Sequence, residues 1–278
     1  MKIIPGEVPT GKLHGYMLSA IAPRPIAFAS TIDSEGNSNL APYSFFNAFG
    51  SNPTTLIFSP ARRVRDNTIK HTLENVMENS EVVINVVNYA MVQQMSLASC
   101  EYPKGISEFV KAGFTPIASE KIKPFRVAES PVQFECKVRE VIETGNEGGA
   151  GNLIVCEILV MHINDNVLND NLQIDANKID LVARMGGDLY CRATGNALFE
   201  VEKPNIKLGI GIDQLPFEIR NSAILSGNDL GMLANVETMP VVEKSNSYAN
   251  TSIEQKHSLA KQLLAEKNVI EAWKILMS

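Results

Sequence analysis

The densest group of chemically active side chains in the sequence is ARRVRDNTIKHT at positions 61–72, which we call the basic loop. It contains one carboxylate, Asp66, and four cations, namely Arg62, Arg63, Arg65 and Lys70. Its local formal charge is +3, although the whole chain has a net charge of −6. Arginine forks, hydroxyls such as those of Thr68 and Thr72, and free N–H groups at a helix start can together bind the oxygens of a phosphomonoester. The basic loop therefore predicts an anion site, with a solvated surface turn as the alternative.

Two further segments, FASTID and APYSFFNAFG, place polar side chains on or beside predicted strands. The hydroxyl and amide groups concerned belong to Ser30, Thr31, Ser44 and Asn47. Such groups require hydrogen-bond partners when they are buried. They are therefore candidates for the same site as the basic loop, and the alternative for each one is ordinary turn or strand-end chemistry.

The spacing of other reactive residues does not indicate a second kind of site. The histidines are scattered, and no pair has the spacing of metal ligands. The glycine-rich segment GNEGGAG lies between two predicted strands, so it is predicted to be a hairpin loop and not a dinucleotide-binding turn. The four cysteines are widely spaced and are predicted to be small buried apolar residues: Cys100, Cys136, Cys156 and Cys191. No metal site and no catalytic side chain is expected.

The composition is that of an ordinary globular protein, since 45 % of the 278 residues are hydrophobic and 20 % are charged. No apolar run approaches the roughly 20 residues that a membrane-spanning helix needs, and the N-terminus lacks the apolar region of a secretory signal. The negative net charge opposes nucleic-acid binding, which needs a broad basic surface. We therefore expect a soluble, cytoplasmic protein with no nucleic-acid or membrane partner.

The apolar pattern indicates mostly β structure. IAFASTID and the segment after the DSEGN turn form a predicted hairpin, and TTLIFS is a short strand. EVVINVVN is predicted to be buried on both faces, and LIVCEILVMHI is a long buried strand that returns from an alternating strand at 132–138. Short helices are expected between residues 91 and 112, and a helix close to the basic loop follows from the spacing of Ile69, Leu73, Val76 and Met77. Many strands with few helices favour a closed antiparallel barrel over an alternating βαβ sheet.

The character of the sequence changes near residue 205, where prolines punctuate a segment of weak periodicity. We therefore predict a barrel domain at 1–204 and a C-terminal extension at 205–278. A terminal helix is predicted from a one-sided apolar stripe formed by Leu259, Leu263, Ile270, Trp273 and Leu276. Such a stripe must pack against the barrel or against a second subunit.

Four blocks between about residues 15 and 203 resemble one known family. They read APRPIAFASTID, GNSNLAPYSFFNAFGSNPTTLIFS, KHTLENVMENSEVVINVV and ARMGGDLY, and their order and spacing resemble those of the flavin reductase-like family of FMN-binding split barrels, which includes flavoredoxin-type proteins. The resemblance implies a mainly β (α+β) fold, an antiparallel split β-barrel with flanking helices, to which this chain adds a C-terminal helical extension. It also implies that FMN binds non-covalently in a groove at a homodimer interface.

The same resemblance implies which residues hold the cofactor. The family's Lys-Asp-Thr element reads Lys70, His71 and Thr72 in this chain, so Lys70 and Thr72 are expected at the flavin phosphate, and we add Arg65 because of its charge. His162 matches a position where some members contact the flavin, with a buried structural histidine as the alternative. Arg184 belongs to the ARMGGDLY block, where dimer packing is the alternative. The full predicted cofactor-binding set is Ser30, Thr31, Ser44, Phe45, Asn47, Ala48, Ser59, Arg65, Lys70, Thr72, His162 and Arg184.

The function implied by the resemblance is an FMN-dependent oxidoreductase that takes hydride from NAD(P)H and passes electrons to flavin or to a downstream acceptor. The isoalloxazine supplies this chemistry, so no general acid is required from the chain. One alternative is a non-enzymatic flavoprotein, either an electron carrier of the flavoredoxin type or an FMN binder without a nicotinamide site. Another is a related split barrel that oxidises a pyridoxine phosphate or handles haem. The sequence does not distinguish NADH from NADPH.

Overall fold

The computed structural model describes residues 1–204, 207–240, 248 and 250–278. The chain divides into two compact units, Met1–Phe199 and Glu200–Ser278. The boundary predicted between residues 204 and 205 stays a prediction. In the described residues, every helix is too short or too polar to cross a lipid bilayer.

The first unit is built on a seven-stranded sheet in which every neighbouring pair of strands is antiparallel. Its strands and those of two short strand pairs are, in chain order, β1 (Ala27–Ile32), β2 (Ser38–Tyr43), β3 (Phe46–Ser51), β4 (Thr54–Phe58), β5 (Glu81–Val86), β6 (Pro116–Ile117), β7 (Arg126–Val127), β8 (Val132–Glu143), β9 (Asn152–Ile163), β10 (Leu181–Arg184) and β11 (Tyr190–Ala193). The spatial order of the large sheet is β2-β1-β5-β8-β9-β4-β3, and β6 pairs with β7 as β10 does with β11. The edge strands β2 and β3 do not pair with each other, so the sheet is split there and not closed as the strand pattern alone predicts.

The helices of the first unit are α1 (Thr10–Ala20), α2 (His71–Asn79), α3 (Val92–Leu97), α4 (Glu108–Ala112) and α5 (Ala176–Ile179). The helix predicted beside the basic loop is confirmed as α2, in which Leu73 and Val76 are buried, whereas Met77 is 58 % exposed. The short helices expected between residues 91 and 112 are confirmed as α3 and α4. Helix α1 was not predicted because it buries none of its residues and so lacks an apolar stripe.

Two apolar cores lie on opposite sides of the sheet. Along β1, Phe28 belongs to the core formed with α3 and α4, whereas Ala27 and Ala29 belong to the core formed with α2. This alternation follows from the two-residue period of a strand. Successive residues Val82, Val83 and Ile84 of β5 are fully buried, which confirms that this strand is covered on both faces.

Strand β9 is only partly buried, contrary to the prediction. Its pairing with β4 ends at Glu157, so the residues beyond have β8 as their strand neighbour. Leu159, Met161 and Ile163 are between 37 % and 45 % exposed. An apolar run alone did not distinguish a covered strand from one whose second half has an open face.

Residue Ser80 ends helix α2 in a left-handed conformation, with φ +52°. Its N–H donates to Val76 O at 2.9 Å, which is the usual closing bond of a helix C-terminus. We expect Ser80→Gly to raise the free energy of unfolding by about 0.5–1 kcal/mol, because glycine adopts this φ without a Cβ penalty. Urea denaturation followed by circular dichroism measures the change. Ser80→Ala is the control, since it keeps the Cβ; an equal gain in both variants would contradict the explanation.

The described part of the second unit contains α6 (Phe217–Arg220), α7 (Gly227–Ala234), α8 (Ile253–Ala265) and α9 (Val269–Leu276). The single terminal helix predicted from sequence is wrong. The helical conformation is interrupted between α8 and α9 at Lys267, whose φ is +60°, and the Asn268 side chain then caps α9. In α9, Ile270 is 67 % exposed, whereas Trp273 is fully buried and donates its indole N–H to Leu233 O at 3.2 Å, so the predicted stripe is not buried along its whole length.

Candidate functional site

A cavity of about 300 Å³ lies in the first unit and is lined mainly by polar and charged side chains. It is bordered by the basic loop, the C-terminal half of α1, the corner between β2 and β3, and the segment after α3. Two carboxylates, Glu101 and Glu108, face four cations, namely Arg24, Arg63, Lys70 and Arg184. The cavity is therefore cationic even though the chain is acidic.

Two cations of the basic loop, Arg63 and Lys70, line this cavity. Two hydrogen bonds fix the orientation of the Arg63 guanidinium: its Nη1 donates to Thr68 Oγ1 at 2.8 Å and to Ile69 O at 2.6 Å. Lys70 immediately precedes α2. Burial lowers the pKa of Lys70, and the nearby Arg63 charge lowers it further. An anion placed between these two side chains would remove that repulsion, so the pair is suited to an anionic ligand.

The other two cations of the basic loop do not line the cavity. Arg62 donates to Asn67 through Nε (Oδ1, 2.7 Å) and Nη2 (main-chain O, 2.8 Å). Arg65 has a side chain that is 67 % exposed, and it pairs with Asp66 at 3.0 Å and with Glu101 at 2.6 Å. Its predicted contact with the phosphate stays a prediction that the geometry does not favour.

The glycine-rich segment is the hairpin loop between β8 and β9, as predicted, and it supports the basic loop. Arg62 N donates to Ala150 O at 2.8 Å, and Gly149 N donates to Arg62 O at 3.0 Å. A Cβ on Gly148 would lie 3.0 Å from Val64 O. The two backbones approach each other closely here, so a side chain at this position would force the basic loop to shift by a few tenths of an ångström.

A buried polar network lies behind one wall of the cavity. Thr72 Oγ1 accepts from Asn39 Nδ2 at 2.8 Å and from Tyr43 Oη at 2.9 Å. Thr31 Oγ1 accepts from Asn39 Nδ2 at 3.3 Å and from Asn75 Nδ2 at 3.1 Å. Burial raises the pKa of the Tyr43 hydroxyl. Asn39 and Tyr43 line the cavity, whereas Thr31 and Thr72 are fully buried and hold these two lining residues in place.

Arg24 is a lining residue that the sequence analysis missed. It is 5 % exposed, and its Nη1 donates to the main-chain oxygens of Leu18 and, at 2.7 Å, Ile21 at the end of α1. Nη2 donates to Met185 O at 2.9 Å, and Nε donates to Ser44 Oγ at 3.3 Å. Burial lowers the pKa of Arg24, and so does the charge of nearby Arg184.

A sequence signal for Arg24 existed, because it stands between two prolines in APRP with no acidic residue near it. Its main-chain N–H and C=O pair with those of Arg184 at 2.9 Å and 2.8 Å. Arg184 lies over the Tyr190 ring with its guanidinium carbon 4.8 Å from the ring centre. The two arginines are therefore neighbours in one cationic wall of the cavity, although they are far apart in the sequence.

The structure brings together only part of the predicted cofactor-binding set. The members that line the cavity are Ser44, Phe45, Ser59, Lys70 and Arg184. The members that do not line it are Ser30, Thr31, Asn47, Ala48, Arg65, Thr72 and His162. Asn47 and Ala48 are exposed on β3, while Ser30 is fully buried on β1 and its Oγ has no partner in the described residues. Their roles stay predictions.

His162 lies in a separate network on β8 and β9. Its Nε2 is 2.8 Å from Oε1 of the fully buried Glu135. Glu135 also accepts from Glu120 N at 2.8 Å and from Lys121 N at 2.7 Å. Burial acts to raise the pKa of Glu135, but these donors and His162 outweigh burial and lower it. This arrangement is typical of a structural histidine, the alternative given for His162.

The cysteines divide into two groups. Cys136 and Cys156 are fully buried, and burial raises the pKa of both thiols, as expected of small apolar core residues. Cys191 is half-buried. Cys100 is exposed and lines the cavity, so the prediction that all four are buried is wrong for this residue.

Residues 18–179, more than half of the chain, match the model of the flavin reductase like domain. The chain is 34 % identical over 201 residues to an uncharacterized protein of Aquifex aeolicus (strain VF5), an alignment that covers 72 % of this chain and 100 % of that protein. Nitrilotriacetate monooxygenase component B from Bacillus cereus is similar in structure, with a TM-score of 0.67 and 27 % identity, over 72 % of this chain and 98 % of that one. A Shewanella frigidimarina protein assigned as a flavin reductase with a split barrel domain gives a TM-score of 0.60 and 26 % identity, over 73 % and 100 % of the two chains.

These similarities confirm the predicted antiparallel split barrel with flanking helices. They agree with the open edge between β2 and β3, beside which Ser44 and Phe45 line the cavity. More than a quarter of this chain lies outside each of the three pairwise matches. By its sequence and its fold, the chain belongs to the flavin reductase like family.

Proposed function

We propose that the protein binds FMN in the cavity of the first unit and transfers hydride or electrons from NAD(P)H through the flavin. The observation that best supports this is the pair Arg63 and Lys70, two cations that face one cavity in an acidic chain. A phosphomonoester has about −1.5 to −2 charges at neutral pH and three acceptor oxygens. Arg63 and Lys70 would hold the phosphate, whose negative charge would offset the burial and the Arg63 charge that lower the pKa of Lys70.

The remaining lining residues suit the neutral part of FMN. The hydroxyls of Ser44 and Ser59 can bond to ribityl hydroxyls, and Phe45, which is 36 % exposed, offers an apolar surface to the ring. When bound, the isoalloxazine accepts hydride and supplies the redox chemistry. The residues of the chain bind and orient it, and Arg24 and Arg184 present positive charge to its polar edge.

A homodimer is part of the proposal. Ligand cavities usually have volumes of about 300–1,000 Å³. At about 300 Å³, this cavity is at the small end of that range for a flavin nucleotide, so a further wall is needed to enclose the ring. Exposed apolar side chains on the first unit, among them Phe49 at 62 % and Met161 at 45 %, support a partner subunit as the source of that wall. A cytoplasmic location remains part of the same proposal.

Titration of the apo-protein with FMN, FAD and riboflavin tests the cofactor. We expect FMN to bind at least about tenfold more tightly than riboflavin, because riboflavin lacks the phosphate that the cations bind. Equal affinities would mean that the cavity does not recognise the phosphate. Anaerobic stopped-flow mixing of the FMN-loaded protein with NADH and with NADPH then tests the reaction. Bleaching of the flavin at a rate that supports turnover is expected, whereas bleaching too slow for turnover would favour an electron carrier.

A further inference from the structure

Glu101 places a carboxylate against the cations of the basic loop from across the cavity. It belongs to the segment after α3, of which Ser99, Cys100 and Tyr102 also line the cavity. Its Oε1 lies 3.0 Å from Arg63 Nε and 4.0 Å from Lys70 Nζ, and its Oε2 lies 2.6 Å from Arg65 Nη2. The two residues expected to hold the phosphate therefore already face an anion supplied by the chain itself.

We propose that Glu101 is an internal competitor of the ligand phosphate: its carboxylate occupies Arg63 and Lys70, and so it lowers the affinity of the cavity for anionic ligands and leaves the affinity for neutral ligands unchanged. This inference rests on the proposed binding of FMN. The phosphate and the Glu101 carboxylate cannot both bind favourably to Arg63 and Lys70, because like charges repel at this separation. Binding therefore requires Glu101 to move away from both residues.

The exchange favours a phosphate monoester for a reason of charge and geometry. A carboxylate offers one negative charge and two oxygens, whereas the monoester offers more charge and three oxygens. A ligand with no charge gains nothing at this end and leaves Glu101 in place, and a monoanion gains no charge over the carboxylate it replaces. The carboxylate thus lowers the affinity for every anionic ligand, and a phosphate monoester offsets that cost more fully than a monoanion does.

Arg65 has a distinct part in this arrangement. It does not line the cavity, yet it makes the shortest contact with Glu101 and is also paired with Asp66. Hydrogen bonds from Arg65 and then Arg63 lower the pKa of Glu101, so its carboxylate is ionised at neutral pH. Arg65 is therefore placed to retain the displaced carboxylate at the rim while Arg63 and Lys70 turn to the ligand.

The test compares Glu101→Gln with the wild-type protein and with Glu147→Gln. Glu147 lies in the hairpin loop that supports the basic loop and has no ion pair in the described residues, so its variant loses the same charge without touching the cations. We expect Glu101→Gln to bind FMN about three- to tenfold more tightly, the range for relieving one partly exposed like-charge contact, with riboflavin affinity unchanged. The gain should shrink as the salt concentration rises, because salt screens the repulsion. Glu147→Gln should change neither affinity beyond about twofold.

Inorganic phosphate provides a second probe, since it should compete with FMN more strongly in Glu101→Gln than in the wild-type protein. Glu101→Ala, which removes the carboxylate and its hydrogen bonds together, should also bind FMN more tightly. If the wild-type protein binds FMN and both Glu101 variants bind it with unchanged or lower affinity, the inference is overturned but the proposed function is not. Failure of the wild-type protein to bind FMN would overturn the proposed function, and the inference with it.

Discussion

Replacing Arg63 or Lys70 with alanine is expected to weaken FMN binding by about 10- to 150-fold for each residue, while riboflavin affinity changes by no more than about twofold. The range corresponds to about 1.5–3 kcal/mol for a hydrogen bond to a charged group. Both side chains line the cavity, and Thr68 and Ile69 fix the Arg63 guanidinium in advance. Titration of each apo-protein with FMN and riboflavin measures the two affinities.

Arg65→Ala is the matched control for this prediction, because it removes the same charge from the same loop. Arg65 does not line the cavity, its side chain is 67 % exposed, and it acts on the ligand only through Glu101, so we expect Arg65→Ala to change FMN affinity by less than about threefold when it is made in the Glu101→Gln background. If Arg65→Ala weakened FMN as much as Arg63→Ala, the phosphate would have to bind on the outer side of the basic loop. If none of the three variants affected FMN, the phosphate would bind elsewhere.

The sequence predicted the basic loop as an anion site, but the predicted set took Arg65 and Lys70 from its cations and left out Arg63. The charges and hydroxyls are local features that a twelve-residue window shows directly. Which side chains face the cavity depends on contacts with distant segments. Asn67, for example, donates from Nδ2 to Asn146 O at 2.9 Å. It also accepts a hydrogen bond from Arg62 Nε at Oδ1, and Arg62 does not line the cavity. The preference for Arg63 over Arg65 could not be read from the loop alone.

The predicted hydroxyl and amide set shows the same limit. Strand periodicity places Thr31 and Asn39 on β1 and β2, but it does not tell which of them reaches the cavity. In the structure Asn39 lines the cavity, and Thr31, its neighbour across the two strands, is fully buried and accepts a hydrogen bond from it. Family resemblance brought Thr72 into the predicted set, and the structure gives its hydroxyl two internal partners instead of an open face.

The elements that were predicted correctly are those whose own residues determine their burial. Strand β5 is a continuous apolar run and is buried on both faces. The terminal stripe failed because Lys267 adopts a left-handed conformation that apolar periodicity cannot reveal. Glu101 was missed for another reason: an isolated glutamate in a polar segment has no pattern, and its importance comes only from the cations that the fold places beside it.

Replacing Arg24 is expected to have the largest effect on the stability of the first unit. Its guanidinium joins the end of α1, the corner between β2 and β3, and the main chain at Met185 through four hydrogen bonds. In the described residues it has no carboxylate within ion-pair distance, so three main-chain oxygens and the Ser44 hydroxyl are the partners of its charge. We expect Arg24→Met to lower the free energy of unfolding by about 3 kcal/mol or more, since each bond to a charged group is worth about 1.5–3 kcal/mol.

Urea denaturation followed by circular dichroism measures this loss, and fluorescence of Trp273, the sole tryptophan, reports the second unit separately. Arg24→Lys should lose less, because an ammonium keeps the charge but cannot reproduce the planar fork. Arg184→Met is the matched control. Arg184 shares the backbone pairing and the cavity wall, but its side chain makes no hydrogen bond in the described residues, so a loss of no more than about 1 kcal/mol is expected.

The ligand affinities of Arg24→Lys separate its role from that of the basic loop. Arg24 holds the end of α1, whose residues His14 and Leu18 line the cavity. Loosening that wall should lower the affinities for FMN and riboflavin by a similar factor, because the wall is proposed to contact the isoalloxazine and ribityl groups that the two ligands share. Arg63→Ala and Lys70→Ala should weaken FMN alone. If Arg24→Lys affected only FMN, Arg24 would contact the phosphate itself, and the assignment of that end of the cavity to Arg63 and Lys70 would have to be abandoned.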